Sequence, residues 1–271
     1  MPYQPPPWPL VVAHRGDSAQ QPENTRLAVE RAIDVGVDMV EVDVRLTKDG
    51  VPILIHYARL EHTTTGRGLV ADHTWEEIQR LDAGVWRGSE FAGEPVPSLQ
   101  EVLDLTRGRV PLNLDFQTSD AVARGVAMVR DAGMTGDVVV SGCRVDCFEI
   151  MAAATNEITT LLNPANLPAG IDPPEAKMDP AEALAVVRRG VDAAGALGAA
   201  GINLEHSFAD AAVVARAREV GLGVWVWVVD DEERFAELID MGVTAVTTNR
   251  PARMLAVVGS RSSAATEETD G

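Results

Sequence analysis

Apolar positions along the chain follow two alternating rhythms. Short runs rich in Val, Leu and Ile read as strands: "LVVAHRG" (10–16), "MVEVDVRLT" (39–47), "VPLNLDFQ" (110–117), "DVVVSG" (137–142), "ITTLLN" (158–163), "GINLEH" (201–206), "LGVWVWVV" (222–229) and "TAVTTN" (244–249). Between them the apolar residues recur near a period of 3.6. Ala28, Val29, Ala32, Ile33 and Val35 predict a helix over about 25–36. Further helices are predicted near 98–107, 119–132, 144–154, 180–196, 209–220, 231–241 and 251–258. After the second strand, a "KDG" turn, a strand "VPILIHY" (51–57) and a short helix near 74–81 form an excursion, an insertion of about 48–97.

Leaving the excursion aside, the pattern is β–α repeated eight times. Alternating units of this kind imply parallel strands covered by helices. Eight of them in about 250 residues favour a closed (β/α)8 TIM barrel over an open doubly wound sheet. The loop after the first strand, "AHRGDSAQQPENT", lacks the glycine spacing of a nucleotide-binding turn. A single barrel domain is expected over 10–258, behind a Pro-rich arm at 1–9. A Pro-rich break interrupts it at 163–180, and the small, polar tail at 259–271 is expected to be disordered.

Two strands carry an inverted polarity. In the second, Val40, Val42 and Val44 share one face while Glu41 and Asp43 share the other. In the third repeat Leu112, Leu114 and Phe116 oppose Asn113, Asp115 and Gln117. In a barrel the apolar faces meet helices, so the acids point inward. Three inward carboxylates need either basic partners, such as Arg15 and Arg45, or a divalent cation. Oxygen ligands of this kind suit Mg2+ or Ca2+ better than zinc. Glu205 lies in a similar inverted pattern and is a weaker candidate ligand. Active sites of this fold sit at the C-terminal ends of the strands, where His14, Arg15 and His56 fall. An acid, a base, an anion clamp and a metal nest together fit hydrolysis of a phosphate ester.

Composition narrows the partners. The chain has 271 residues, 46% hydrophobic and 24% charged, with a formal net charge of −18. That charge disfavours nucleic acid and anionic membrane surfaces, so an anionic substrate must find positive charge locally. No apolar run approaches the ~20 residues that span a bilayer, and the N-terminus does not read as a secretory signal. Cys143 and Cys147 read as reduced thiols, and a cytoplasmic location is expected.

At these residues the sequence resembles the glycerophosphodiester phosphodiesterase family. The resemblance lies in "AHRG" (13–16), "PENT" (22–25), "EVDVRLTKDGVPILIH" (41–56) and "TTTGRG" (63–68), and continues through "VPSLQEVLDL", "LNLDFQ", "VWVWVV" and "TTNRP". It implies a metal-dependent barrel that hydrolyses a small-molecule phosphodiester; the sequence shows no membrane-docking amphipathic segment and no basic interfacial helix, so stable membrane association is not expected. By position the resemblance implies His14 and His56 as an acid/base pair, Arg15 as a phosphate contact, and Glu41, Asp43 and Asp115 as metal ligands. Trp227 matches an aromatic that packs against the alcohol. Departures from the family pattern are Tyr57 for Asp, Asp115 for Glu, Gln117 for Lys and Asn249 for Asp. They leave room for a lysophospholipase D or sphingomyelinase-D-like activity, or for a barrel that binds phosphodiesters without turnover. Within "PENT", Asn24 suits either a helix N-cap or support of the site.

Overall fold

The computed structural model describes residues 9–143, 145–164 and 180–269. The N-terminal arm through residue 8 and most of the Pro-rich break lie outside that description. Eight parallel strands close on themselves in the order β1 (Leu10–His14), β2 (Met39–Leu46), β4 (Leu112–Phe116), β5 (Val138–Cys143), β6 (Thr159–Leu162), β7 (Gly201–Glu205), β8 (Gly223–Trp227) and β9 (Ala245–Thr248). β1 pairs with both β2 and β9, which completes the barrel. β3 (Pro52–Leu54) runs antiparallel along Val44–Leu46, beyond the Met39–Glu41 stretch that β1 occupies.

Helices α1 (Arg26–Val35), α3 (Leu99–Thr106), α4 (Ser119–Asp131), α5 (Val145–Ala154), α6 (Pro180–Leu197), α7 (Ala211–Glu219), α8 (Glu232–Met241) and α9 (Pro251–Thr269) follow the strands. The inverted strands behave as their polarity dictates. Val40, Val42, Val44, Leu112, Leu114 and Phe116 join one buried cluster with Val29 of α1, Leu103 of α3 and Val126 of α4. Each such side chain, taken fully from water, contributes about 1.5–3 kcal/mol. A second shell joins Ile202, Leu204, Val224 and Val226 to Val213 of α7 and Phe235 of α8.

Inside the barrel, polarity changes along the axis. Leu10, Val12, Met39, Leu161, Trp225 and Ala245 form an apolar floor near the strand starts. Beyond it, toward the C-terminal ends, the inward positions are His14, Glu41, Asp43, Asn113 and Asn203. The inserted segment has its own small core of Ile53, Ile55, Leu60, Val70, Ile78, Ala83 and Val96.

Two local expectations are corrected. The excursion helix is a single turn, α2 (Trp75–Ile78), because Asp82 next takes the backbone N–H groups of Gly84, Val85 and Gly93 and turns the chain. The last helix does not end at 258 but runs to Thr269, into the stretch expected to be disordered. Beyond Gly259 that stretch has no proline and no further glycine before residue 271, and its Ala and Glu are good helix formers.

Candidate active site

β2 and β4 pair so that Asp43 stands beside Asp115, with Glu41 one step below on the same face. One oxygen from each of Glu41, Asp43 and Asp115 lies within 4.8 Å of the others. Glu41 and Asp43 are buried. On the neighbouring β5, Gly142 has φ +69°, and a Cβ there would stand 2.1 Å from Asp115 Oδ1. Glycine thus leaves Asp115 its space.

The cluster is under-compensated. Arg15 Nε lies 3.0 Å from Asp43 Oδ2, within ion-pair distance although Nε is not aligned for a hydrogen bond. The same guanidinium donates to Glu23 Oε1 at 2.7 Å. Among the described residues neither Glu41 nor Asp115 has an arginine within ion-pair distance, although the charges of Arg15 and Arg45 both pull Asp115 down; Arg45 Nε donates to the carbonyl of His56 at 2.8 Å. Burial, and then the charge of Asp43, push Asp115 up to about 8. Glu41 is raised by burial and by both neighbouring acids, against the pull of Arg15. Of the two sequence alternatives, an arginine partner is seen for Asp43 alone, and the three carboxylates together are a set that could hold a hard divalent cation.

β1 delivers His14 and Arg15 to the same place. Arg15 (φ 56°) and Gly16 (φ 81°) turn the chain sharply as the strand ends. A Cβ on Gly16 would approach Ala28 of α1 to 2.5 Å, so the turn packs directly on that helix. The Arg15 backbone N–H donates to Glu41 Oε2 at 2.8 Å, binding the turn to the acid cluster.

"PENT" has a definite geometry. The N-cap of α1 is Thr25, whose hydroxyl accepts from the Ala28 N–H, rather than Asn24. Asn24 itself sits at φ 56°, a conformation asparagine tolerates better than most residues. Its Nδ2 donates to Asp43 Oδ2 at 2.8 Å, and its Oδ1 accepts from the Asp43 N–H at 3.0 Å. Site support, not capping, is what Asn24 provides.

The His14 ring is held from behind. Its Nδ1 lies 2.7 Å from Asn249 Oδ1, which also accepts from Ser18 Oγ at 2.8 Å. Asn249 Nδ2 donates to Asp230 Oδ2 at 2.7 Å, which fixes the amide with its oxygen toward the histidine. His14 Nδ1 therefore carries the hydrogen, and Nε2, 4.0 Å from Glu41 Oε2, keeps the free lone pair. Burial, and then Arg15, lower His14 to about 4. Sequence reasoning missed Asp230; its only signal is an acid just past the end of β8.

His56 follows β3 and is partly buried, its pKa lowered by burial, with Nδ1 lacking a partner. Its ring meets Tyr57 edge-on at 4.7 Å, and Tyr57 stacks on His62 at 4.4 Å. Tyr57 thus joins an aromatic wall. Gln117 Nε2 donates to Asp43 Oδ1 at 2.8 Å and to Asp115 Oδ1 at 3.2 Å. Glu205 is not part of the acid cluster. It ends β7, four strands from β2 in either direction, alongside Trp227 of β8.

Residues 14–253 match the model of the Glycerophosphoryl diester phosphodiesterase family. The chain belongs to that family. YhdW of Bacillus subtilis (strain 168), named as a candidate glycerophosphodiester phosphodiesterase, is 30% identical over 243 residues, 89% of this chain and 94% of its own length. A glycerophosphodiester phosphodiesterase of Caldanaerobacter subterraneus is 45% identical over 119 residues, which cover 44% of this chain and only 47% of that protein. Among solved structures, an Oleispira antarctica phosphodiesterase in complex with the product sn-glycerol-3-phosphate superposes with a TM-score of 0.80 at 26% identity, covering 93% of this chain and 97% of the other. The barrel and the family expected from the sequence are both found. No described helix of this family member is long and apolar enough to cross a membrane.

Proposed function

We propose that the protein hydrolyses a glycerophosphodiester to sn-glycerol 3-phosphate and an alcohol, with one divalent cation, Mg2+ or Ca2+, held by Glu41, Asp43 and Asp115. The observation that carries this reading is the under-compensated carboxylate cluster beside His14 and Arg15, in a chain of this family. The Oleispira neighbour, which holds that product, supports the choice of substrate. Location in the cytoplasm and a place between phospholipid turnover and glycerol metabolism belong to the same reading, with the cysteine usage and acidic composition as support.

The donor set fits a hard cation: three carboxylates, two of them raised in pKa by burial and mutual repulsion, converge on one point. When bound, the ion polarises a phosphoryl oxygen and offsets its charge. Arg15, fixed by Glu23 and Asp43, offers its guanidinium to the phosphate. His14 Nε2, with its lone pair free, takes the proton from the attacking oxygen. His56 supplies a proton to the departing alcohol oxygen, and the alcohol lies against Trp227. Gln117 brings neutral amide hydrogens where a lysine would bring charge.

The test is hydrolysis of a panel of glycerophosphodiesters, lysophospholipids and sphingomyelin by the purified protein, before and after exhaustive chelation. Product that appears with Mg2+, Ca2+ or Mn2+ and disappears on chelation supports the reading. Undiminished activity after chelation would overturn the metal assignment. Binding of diesters without any product would identify a non-catalytic barrel.

A further inference from the structure

Gln117 brings a fourth oxygen-bearing side chain to the acid cluster. It follows Asp115 by two residues, on the same inward face of the β4 end. Its backbone N–H donates to the Val44 carbonyl at 3.0 Å, which carries the β2–β4 pairing one step past Phe116 and fixes the main chain there. At the other end of the side chain, Nε2 donates to Asp43 Oδ1 at 2.8 Å and to Asp115 Oδ1 at 3.2 Å. Asp43 Oδ2 is taken up by Arg15 and Asn24, so Oδ1 is the oxygen that Asp43 has left for an ion. The Gln117 amide hydrogens point at that oxygen. Among the described residues the other end of the amide, Oε1, accepts no hydrogen bond.

The two ends of an amide are alike in size and opposite in polarity. They exchange by half a turn about the last side-chain torsion, a broad two-fold rotation that leaves the main chain where it is. With its hydrogens toward Asp43 and Asp115, the amide relieves part of the repulsion between two carboxylates. Beside a divalent ion that preference reverses, because the N–H dipole is repelled and the carbonyl oxygen attracted. The half-turn also takes the hydrogens off Asp43 Oδ1 and Asp115 Oδ1, which returns their lone pairs to the ion. A lysine, which has no acceptor atom, could do neither.

We propose that Gln117 Oε1 is a fourth protein ligand of the divalent ion, beside Glu41, Asp43 and Asp115, and that it favours Ca2+ over Mg2+. This rests on the metal assignment above and deepens it. Ca2+ takes about six to eight oxygens in a flexible arrangement, amide carbonyls among them, whereas Mg2+ demands near-octahedral geometry and keeps several of its waters. A further protein oxygen therefore benefits Ca2+ more. The turned amide keeps both hydrogens for the phosphate, so one residue serves ion and substrate from its two ends.

The test needs no substrate. Calorimetric titration with Ca2+ and with Mg2+ gives both affinities for the wild type, Gln117→Ala and Gln117→Glu. Eu3+, a hard stand-in for Ca2+, gives the number of waters on the bound ion from its luminescence decay in H2O and D2O. The wild type should bind Ca2+ about tenfold more tightly than Mg2+, and Gln117→Ala should weaken Ca2+ by about 10- to 100-fold. The ion in Gln117→Ala should carry about one more water than in the wild type, because water fills the position that Oε1 leaves. Gln117→Glu, which keeps a ligating oxygen, should carry no more waters than the wild type. An unchanged water count in Gln117→Ala would overturn the ligand even if affinity falls, since a partner that only orients Asp43 and Asp115 leaves no coordination position open. Should Gln117→Ala not fold, Gln117→Met fills the same space without an oxygen, and the same counts decide. Equal wild-type affinities for Ca2+ and Mg2+ would overturn the preference for Ca2+. A wild type that binds none of the three ions would overturn the metal assignment itself, and this ligand with it.

Discussion

Asn249 holds His14 through a single oxygen: Oδ1 stands 2.7 Å from His14 Nδ1, while the amide nitrogen of Asn249 is anchored on Asp230. The amide cannot rotate without losing both contacts, so the imidazole is kept in one tautomer with Nε2 available. Asn249→Ala should lower kcat by about 10- to 100-fold with little change in KM, the usual scale for losing an orienting partner. Steady-state kinetics on one diester will check this. A kcat close to that of the wild type would mean that the ring is oriented without Asn249.

His14→Ala and His56→Ala should each reduce kcat by about 10²–10⁴-fold, the range for loss of a positioned proton donor or acceptor. Both residues lie at the barrel mouth rather than in the packed shells, so thermal melts should stay near the wild-type Tm. Unaltered turnover in both variants would remove them from the chemistry.

Asn24→Gly keeps the left-handed backbone conformation accessible while deleting the amide that brackets Asp43. Metal affinity should fall by about 10- to 100-fold, measured by calorimetric titration, because Asp43 loses both of its bonds to Asn24, one on the carboxylate and one on the backbone. Unchanged affinity would mean that Arg15 and Gln117 orient Asp43 without it.

The pH dependence of the metal-free protein should have a definite sign. Asp115 and Glu41 are raised when folded, so between about 4 and 8 the folded state binds more protons than the unfolded chain, and stability falls as pH rises. His14 and His56 are lowered when folded and act oppositely, but only below their ordinary value of 6.5. Above 6.5 the contribution of the two histidines fades, while the raised Asp115 still holds its proton up to about 8. Tm should therefore decline across that window, and Mg2+ or Ca2+ should restore it, since the ion takes the place of the protons. Asp115→Asn should flatten the decline; an equally steep profile in that variant would place the titrating group elsewhere.

Gln117→Lys should stabilise the metal-free protein and weaken the hold on a divalent ion. Judged by the family pattern alone, a lysine at this position restores charge near the phosphate and raises the rate. The geometry indicates a different first effect, because Gln117 Nε2 already contacts Asp43 and Asp115. An ammonium there would neutralise the cluster. Thermal melts at pH 8 and metal titration of the variant will decide between a gain in Tm with weaker metal binding and no change in either.

Fold class was legible in the chain because it follows from local periodicity. Strand and helix rhythms alternate eight times, and each apolar face has only one buried place to go. The three acids were legible for the same reason: alternation along β2 and β4 puts Glu41, Asp43 and Asp115 on the face opposite Val42 and Leu114 whatever the rest of the chain does. What pattern could not supply was which distant groups meet. Asp230 behind Asn249, Asn24 against Asp43, and Glu205 across the ring from Glu41 depend on barrel closure and strand stagger. Asn24 shows the limit most sharply. By sequence it suits a helix cap as well as site support, and only the turn at Arg15, pressed on Ala28 by Gly16, aims its amide inward. Alternation and propensity are properties of near neighbours along the chain; which side chains meet from separate strands and loops, as His14 meets Asn249, is set by packing, which exists only once the barrel has closed.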